Sequence, residues 1–284
     1  MDRSLSKNEA KVVLDLEWRG KTTVRLADLR ATLGTTENYA RFVAHRLVQK
    51  GWLERLRPGL FQLIPAERGI DAVSDTNPLA AGAELASPSF FSFGTACTHY
   101  GLTEQVFGEV YIACTSKRRP VTVRDSRYVF VHVSADRLFG FRQVSVFGKP
   151  VAMATVERAL LDSIDHPEFA GGIGEVAHVV SRAGSRVSWE ALLECGTRMG
   201  SSALIQRLGC LLDIQRTEIP PASRRALEGL VRPGSKILLG SKARWGTAGS
   251  VLKPWNVVVN VPLGVLEPSP GRTRFEFKRR ETQR

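Results

Sequence analysis

Three amphipathic helical segments followed by a short hairpin begin the chain, and no other pattern in the sequence restricts the fold as strongly. Ser6 and Glu9 have the spacing of a capping box, so a first helix is predicted at 7–18. A short β-prone segment at 21–24 follows it. The chain is therefore expected to open with a helix and a short strand.

Two more helices and a hairpin complete this pattern. Gly34 favours a tight turn between the second and third helices, and Pro58-Gly59 favours a turn inside the hairpin. The elements are predicted as helices at 25–33 and 37–50 and strands at 52–57 and 60–64. Helix, strand, helix, turn, helix and hairpin, in this order, predict a winged helix-turn-helix domain over residues 1–65.

The rest of the chain predicts a larger, mixed α/β domain. A linker rich in Pro, Gly, Ser and Ala is expected at 66–88, the mixed domain at 89–266, and an exposed basic tail at 267–284. The elements predicted after the linker are a helix at 89–99, strands at 110–115, 120–123, 128–133 and 142–147, helices at 155–164, 174–182, 188–195 and 201–212, and a strand at 255–261. The expected fold class of the whole chain is α+β.

The net charge of +12 restricts the partners, because so basic a globular protein usually meets a polyanion. Residues 1–65 carry 12 lysines and arginines against 7 acidic residues, and residues 272–284 carry 6 against 2. The long middle part carries 22 against 19. Positive charge is therefore concentrated at the two ends, as a nucleic-acid-binding surface would concentrate it.

Hydrophobicity and cysteine usage indicate the cellular compartment. No apolar stretch reaches the ~18 residues of a membrane span, and the polar N-terminus lacks a signal-peptide core. We therefore expect a cytoplasmic protein without membrane contact. Four cysteines without a CxxC pair favour buried thiols over disulfides or a zinc site: Cys97, Cys114, Cys195 and Cys210.

The third predicted helix carries the candidate DNA-binding residues. One of its stripes is apolar and is expected to pack on the other helices: Ala40, Val43, Ala44 and Leu47. The opposite side offers side chains whose hydrogen-bonding groups suit base edges: Asn38, Arg41, His45 and Gln49. Thr35 and Thr36, at the N-terminus of the helix, suit a phosphate.

The hairpin adds Arg55 and Arg57, whose alternate positions predict one shared face near the turn. A wing with two arginines suits the phosphate backbone or the minor groove. The alternative is a winged helix that binds protein and leaves its polar helix face solvated. Fold pattern and charge together favour DNA. Phe42, on the polar side of the third helix, is expected to contact a thymine methyl or to pack under the wing, and packing is favoured.

Motifs for common catalytic centres are missing. The sequence contains no phosphate-binding loop, no nucleophile elbow and no HExxH motif, and its five histidines show no ligand spacing. The glycine cluster at 171–174 favours a loop that enters a helix over a phosphate cradle. We expect no catalytic residue, no metal site and no cofactor.

Two weaker signals for catalysis also have ordinary explanations. In the acidic cluster at 157–168, Glu157 and Asp162 lie about 140° apart on a helix and cannot share one site, whereas Arg158 and Asp162 suit a surface ion pair. Glu276 and Lys278 have the Glu-x-Lys spacing of some nuclease cores, but they lie in the basic tail. A solvated or DNA-contacting tail is the favoured interpretation.

Three stretches, in this order, resemble a known family. Residues 51–63, GWLERLRPGLFQL, are similar to the wing hairpin of AbiEi-family antitoxins, with Phe61 where Tyr is more usual. Residues 92–105, SFGTACTHYGLTEQ, resemble the family's helix that closes on a GLTEQ-like sequence. Residues 155–162, TVERALLD, resemble a third segment of the family, together with the His-Pro and Gly-Gly pairs that follow. Residues 216–284 match no part of the family pattern.

The resemblance implies the antitoxin half of a type IV toxin–antitoxin pair, linked to phage defence by abortive infection. The winged helix would bind inverted repeats in its own promoter and repress transcription, with two molecules expected per operator. The C-terminal domain would counteract a nucleotidyltransferase toxin without needing a stable complex with it. In this family that domain can also present a basic surface that helps to hold DNA.

A DNA-binding repressor and antitoxin without catalysis is therefore the expected function. In a winged helix of this kind, Asn38, Arg41 and His45 would read the bases. Thr36, Arg55 and Arg57 would contact the DNA backbone and so position the protein on the duplex. Two other classes remain open. One is a DNA enzyme with a nuclease-like C-terminal domain, which a metal-dependent cleavage assay would reveal. The other is a ligand-sensing transcription regulator, which would release DNA when its ligand binds.

Overall fold

The computed structural model describes residues 3–66, 77–123, 125–146 and 149–267, and it has the α+β architecture expected from the sequence. The helices are α1 Lys7–Trp18, α2 Leu26–Leu33, α3 Glu37–Gln49, α4 Pro78–Gly82, α5 Phe93–His99, α6 Val156–Asp165, α7 Ile173–Ala183, α8 Trp189–Met199, α9 Ser202–Ile214, α10 Pro221–Gly229, α11 Lys242–Trp245 and α12 Leu263–Leu266. The strands are β1 Thr23–Arg25, β2 Leu53–Arg57, β3 Leu60–Leu63, β4 Ser89–Phe91, β5 Glu109–Cys114, β6 Val121–Val123, β7 Ser126–His132, β8 Phe141–Val146, β9 Lys149–Ala154, β10 Ile237–Leu238, β11 Ser250–Leu252 and β12 Val257–Val259. Residues 67–76 of the predicted linker and 268–284 of the predicted tail lie outside the described residues.

The first part of the chain is the predicted winged helix-turn-helix. Gly34 ends α2 in the left-handed region, at φ 62° and ψ 40°, which lets the chain turn sharply into α3. The strands form an antiparallel sheet in the order β1-β3-β2. Buried apolar side chains from all these elements form one core: Val12, Val13, Leu16, Val24, Leu29, Ala40, Val43, Ala44, Leu47, Trp52, Leu53, Phe61 and Leu63. The helix bounds predicted here are confirmed to within one residue.

Glu9 ties the start of α1 to the end of α3. Its side chain is almost fully buried and accepts a hydrogen bond of 2.7 Å from the Ser6 N–H, as the predicted capping box requires. Lys50 Nζ and Arg46 Nε, from the far end of α3, donate to its two oxygens at 2.6 and 3.1 Å. Burial raises the pKa of the Glu9 carboxyl, but hydrogen bonds from Lys50 and Ser6 outweigh it and lower this pKa to about 2.

The lowered pKa of Glu9 makes the stability of the winged helix depend on pH. Because the pKa of Glu9 falls from its usual 4.5 to about 2 on folding, its contribution is complete above pH 4.5 and disappears as the pH drops towards 2. Arg46 reaches solvent, which weakens the interaction, so we expect a contribution of about 2 kcal/mol. Urea unfolding of residues 1–66 at pH 6 and pH 3 measures most of it: because part of the contribution survives at pH 3, the wild type should lose about 1 kcal/mol more than Glu9→Gln. Equal losses in the two proteins would contradict this coupling.

A six-stranded mixed sheet follows, with the strand order β6-β7-β5-β4-β9-β8. The parallel pair β5 and β7 has an unbroken register from Glu109 opposite Arg127 to Cys114 opposite His132. Strand β6 pairs with β7 in antiparallel orientation, and β4 pairs with β9 in parallel orientation where Phe91 lies opposite Met153. The sheet therefore combines both kinds of ladder, as expected of an α+β protein.

The single helix predicted at 89–99 is wrong in its first half. Residues Ser89–Phe91 form strand β4, and the helix α5 starts only at Phe93. Phe90 and Phe91 are both buried, and aromatic residues of this kind favour a strand inside a sheet. Ser92 then adopts an extended conformation, which separates strand from helix.

The chain divides into two compact units. The first consists of residues 1–90, 108–133 and 143–152, which include the winged helix and strands β5, β6 and β7. The second consists of residues 91–107, 134–142 and 153–284, which include α5 to α12 and the small sheet β10-β12-β11. The second unit thus gathers most of the helices of the described chain.

A buried ion pair lies within the second unit. Arg158 Nε and Asp162 Oδ1 are 2.9 Å apart, with side chains 0% and 5% exposed, so the pair predicted for the surface is inside the protein. Arg158 also donates to the carbonyl oxygens of Arg137 and Phe139, and Ser92 Oγ donates to the second oxygen of Asp162 at 2.6 Å. Burial raises the pKa of the Asp162 carboxyl, and the guanidinium of Arg158 opposes this rise. The prediction failed because residues 158–164 of α6 are all buried, whatever side they face.

The last described part of the chain packs on α9. Trp255 is fully buried, and its Nε1–H donates to Asp213 Oδ2 at 2.7 Å. The indole ring lies so close to Gly209 of α9 that a Cβ there would approach it to 2.2 Å. Gln206, also on α9, donates to the carbonyl oxygens of Ser235 and Trp255 at 2.9 and 2.8 Å. These contacts explain how short elements after residue 216 are held to the helices before it.

Candidate nucleic-acid interface

Helix α3 presents a continuous outward stripe of side chains. Its four members follow one another at spacings of four, three and four residues and are all exposed: Asn38, Phe42, His45 and Gln49. The predicted apolar stripe on the opposite side of α3 is buried in the core, as expected. Because the opposite side of α3 is buried, the predicted DNA-binding residues Asn38, His45 and Gln49 face solvent in one row.

A groove of about 800 Å³ lies between α3 and the wing. Its charged and polar lining comes from both sides, with Arg41 and His45 on α3 and Arg55 on β2. Apolar residues also contribute to the lining: Leu26, Val48, Pro58 and Phe61. The fold thus brings Arg55 of the wing together with Arg41 and His45 of α3, while Asn38 and Gln49 lie on α3 outside the lining of the groove.

Glu37 is a residue of this groove that the sequence reasoning missed. Its Oε1 accepts a hydrogen bond of 2.5 Å from Arg41 Nη2, one helical turn away, and its Oε2 lies 4.0 Å from Arg30 Nη1. The Glu-x-x-x-Arg spacing was a signal for this pair. Both side chains of the Glu37–Arg41 pair are about half exposed or more, so the pair is worth at most about 1 kcal/mol. Arg41 can therefore leave Glu37 for a stronger partner at low cost.

The two arginines of the wing do not share one exposed face as predicted. A β-bulge interrupts the pairing of β2 with β3, since Arg55 lies opposite Phe61 whereas Arg57 lies opposite Leu60. The extra residue, Leu56, is consequently buried, which breaks the alternation of the strand. Arg55 stays exposed and lines the groove, while Arg57 is partly buried, with its Nε enclosed and unpaired within the described part of the chain.

The two threonines lie at the N-terminal end of α3. Thr36 is the N-cap residue, with an extended backbone and without a side-chain hydrogen bond to the helix, and it is exposed. Thr35 is partly buried, and its N–H points to the Arg30 carbonyl at 3.4 Å. A hydroxyl at an exposed N-cap, beside first-turn amides that have no partner within the helix, suits a phosphate oxygen.

Phe42 does not pack under the wing, so the favoured expectation for this residue is wrong. It is 53% exposed and does not belong to the lining of the groove. Tyr39 and Arg46, on the same helix, are its ring neighbours, at 6.1 and 5.9 Å from the ring centre. The helical angle alone predicted this outcome, because Phe42 lies opposite the buried stripe.

Other candidate clusters resolve into structural contacts. Glu157 accepts the Ser188 N–H at 2.9 Å, and Asp165 pairs with Arg137 at 3.0 Å. Gly174 permits close packing, since a Cβ there would lie 2.9 Å from Val265. Across the described ranges, no three His, Cys, Asp or Glu side chains are grouped as metal ligands would be, and no helix has the length and apolarity needed to cross a bilayer. Glu276 and Lys278 of the nuclease-like signal lie outside the described residues.

The winged helix, with its outward stripe and its groove, is the part that comparison with sequence families identifies. Residues 11–64 match the family described as transcriptional regulator, AbiEi antitoxin. The resemblance found in the sequence is therefore confirmed for this domain. The match runs from α1 to the end of the wing, so the AbiEi-like region contains every predicted DNA-binding residue.

The fold beyond the AbiEi-like region also has a counterpart among solved structures. The crystal structure of the RV2827C protein from Mycobacterium tuberculosis is similar to this chain with a TM-score of 0.65 and 19% sequence identity. The similarity covers 90% of this chain and 92% of that chain, and at this identity it concerns the fold alone. No curated protein matches this chain in sequence.

Proposed function

We propose that this protein is a DNA-binding transcriptional repressor of its own promoter and the antitoxin of a type IV toxin–antitoxin pair. The match of residues 11–64 to AbiEi regulators supports the regulator and antitoxin role. Residues 92–105 and 155–162 resemble the same family, which supports an antitoxin role for the part of the chain after the winged helix as well. The protein acts in the cytoplasm, without catalysis, in phage defence by abortive infection.

The groove between α3 and the wing is the main structural support for DNA binding. Asn38 and His45 read base edges in the major groove, and Arg41 moves from Glu37 to fork onto guanine O6 and N7. Arg55 contacts the DNA backbone from the wing, and Thr36 binds a phosphate at the helix N-terminus. Thr35 and Gln49, near the two ends of α3, and Arg57, next to the turn of the wing, make further contacts with the DNA backbone.

The operator is proposed to be an inverted repeat that binds two molecules. A winged helix reads one face of the duplex, so a palindromic site offers the same contacts twice, separated by whole helical turns. Repression follows when the two bound copies cover the promoter. The length of DNA protected from nuclease digestion tests this point, because a single copy would protect half the repeat.

The functional partner proposed for this antitoxin is a nucleotidyltransferase toxin. A stable complex between the two proteins is not required for a type IV antitoxin. The test is co-expression with the neighbouring nucleotidyltransferase gene, where the full chain should restore growth. Continued growth arrest despite expression of the full chain would contradict the proposal.

Truncation should separate the two activities. Residues 1–66 contain a complete core of their own and every proposed DNA contact, so this fragment should still bind the promoter. Because the antitoxin activity is assigned to the larger remaining part, the fragment should not restore the colonies that the full chain restores. Gel shifts and colony counts measure the two effects in parallel. Rescue by residues 1–66 alone would place antitoxin activity in the winged helix and contradict this division.

A further inference from the structure

An exposed aromatic ring stands in the middle of the proposed base-reading row. Phe42 lies between Asn38 and His45 on the outward stripe of α3, and more than half of its surface is exposed. Leaving a phenylalanine in water forfeits the free energy that its burial would supply. Its place in the proposed base-reading row, opposite the core, lets it contact an apolar group of a partner that lies against this row.

The ring is held in place by neighbours that are themselves anchored. Tyr39, beside the ring, accepts a hydrogen bond of 3.0 Å from Asn8 of α1 on its hydroxyl oxygen. Arg46, whose guanidinium lies 5.9 Å from the centre of the ring, is fixed by Glu9 of α1 at 3.1 Å. Two contacts from α1 thus hold the neighbours of the ring, and ordered neighbours reduce the entropy that binding would cost.

Base edges in the major groove offer one apolar group, the C5-methyl of thymine, and aromatic side chains are among those that contact it. We propose that Phe42 reads the 5-methyl group of a thymine in each half of the operator. This inference rests on the proposed function, since it assumes that α3 enters the major groove. It adds a base identity to that function: a thymine lies next to the bases that Asn38 and His45 contact.

The methyl group can be removed from the DNA without changing any hydrogen bond. Deoxyuridine differs from thymidine by this methyl alone, so replacing thymines one at a time in the promoter duplex isolates the contact. One buried methyl group predicts a loss of about fourfold in wild-type affinity at one thymine of each half-site. Phe42→Ala should bind more weakly and show no difference between thymine and uracil there. All titrations are made at one salt concentration.

A second exposed apolar residue of the winged helix provides the control. Leu14 on α1 is 64% exposed, and it lies outside both the outward stripe and the groove. Leu14→Ala should therefore keep the full thymine-to-uracil effect. Circular dichroism of Phe42→Ala checks that the helix is intact, as expected for an exposed position where alanine favours helix.

The outcomes separate this inference from the function on which it rests. If the wild type fails to bind its promoter, the proposed function is wrong and the inference falls with it. If the wild type binds but tolerates uracil at every thymine, the function stands and the role of Phe42 is wrong. The same conclusion follows if Phe42→Ala remains as sensitive to uracil as the wild type.

Discussion

The double variant Arg41→Ala, Arg55→Ala is expected to bind the protein's own promoter about 150-fold more weakly than the wild type. A forked contact of Arg41 with guanine is worth about 2 kcal/mol and a backbone contact of Arg55 about 1 kcal/mol, and ~3 kcal/mol corresponds to this factor. The two residues line the same groove from α3 and from the wing, so DNA in the groove would meet both. Fluorescence anisotropy with a labelled promoter duplex at fixed salt measures the change.

The two single variants should change DNA binding in different ways. Losing Arg41 should relax the preference for guanine at one position, because a base contact is removed. Losing Arg55 should weaken binding to every sequence alike and flatten the salt dependence, because a phosphate contact is removed. A specificity profile over all single-base changes of the operator distinguishes the two patterns.

Arg19 provides a matched control for the loss of charge. It pairs with Asp15 at 2.8 Å and four residues' spacing, as Arg41 pairs with Glu37, and its side chain is half exposed. It is the C-cap residue of α1 and does not line the groove. Arg19→Ala should change affinity less than about threefold, the effect of one distant surface charge. If the double variant bound as tightly as Arg19→Ala, α3 and the wing would not form the DNA interface.

The winged helix was predictable because its signals are local. Apolar residues at helical spacing, the Ser6 capping box and the glycine at residue 34 each specify a boundary within a few residues of chain. The outward stripe of α3 follows from the same periodicity. The favoured prediction for Phe42 was nevertheless wrong, because its helical angle, opposite the buried stripe, turns it away from the protein.

The groove itself could not be derived from the sequence. Strand alternation predicted one face for Arg55 and Arg57, but the bulge at Leu56 depends on how β2 pairs with β3. Strand β9 was missed for a related reason. Pro150 at its second position argues against a strand, and the segment becomes one through its pairing with β4.

Residues after 216 were the least predictable part of the described chain. Strands β10 and β11 have two or three residues each, which is too short for periodicity to be recognised. Of this small sheet only β12 was predicted, within the apolar run at 255–261. The position of the three strands depends on Trp255, whose ring packs on Gly209 of α9 more than 40 residues earlier in the chain. Contacts of such sequence separation leave no pattern in a single sequence, although they fix the end of the domain.

Helix α6 shows how burial changes the meaning of a familiar spacing. Arg158 and Asp162 are four residues apart, which on an exposed helix is worth a few tenths of a kcal/mol. Here both charges have left water, and the guanidinium also satisfies the carbonyl oxygens of Arg137 and Phe139. Removing one partner would strand the other charge in the interior, which costs far more than the pair itself is worth.

Arg158→Met is therefore expected to destabilise the second unit by about 4 kcal/mol, because Asp162 and two carbonyl oxygens lose their donor. Replacing both charges, in Arg158→Met with Asp162→Leu, removes the stranded carboxylate and should recover about half of this loss. Urea unfolding of the full chain, followed by amide exchange in α6, measures both variants. A double variant no more stable than Arg158→Met would contradict this account. The loss of stability would then come from the hydrogen bonds of Arg158 to the two carbonyl oxygens, and not from the unpaired Asp162 carboxylate.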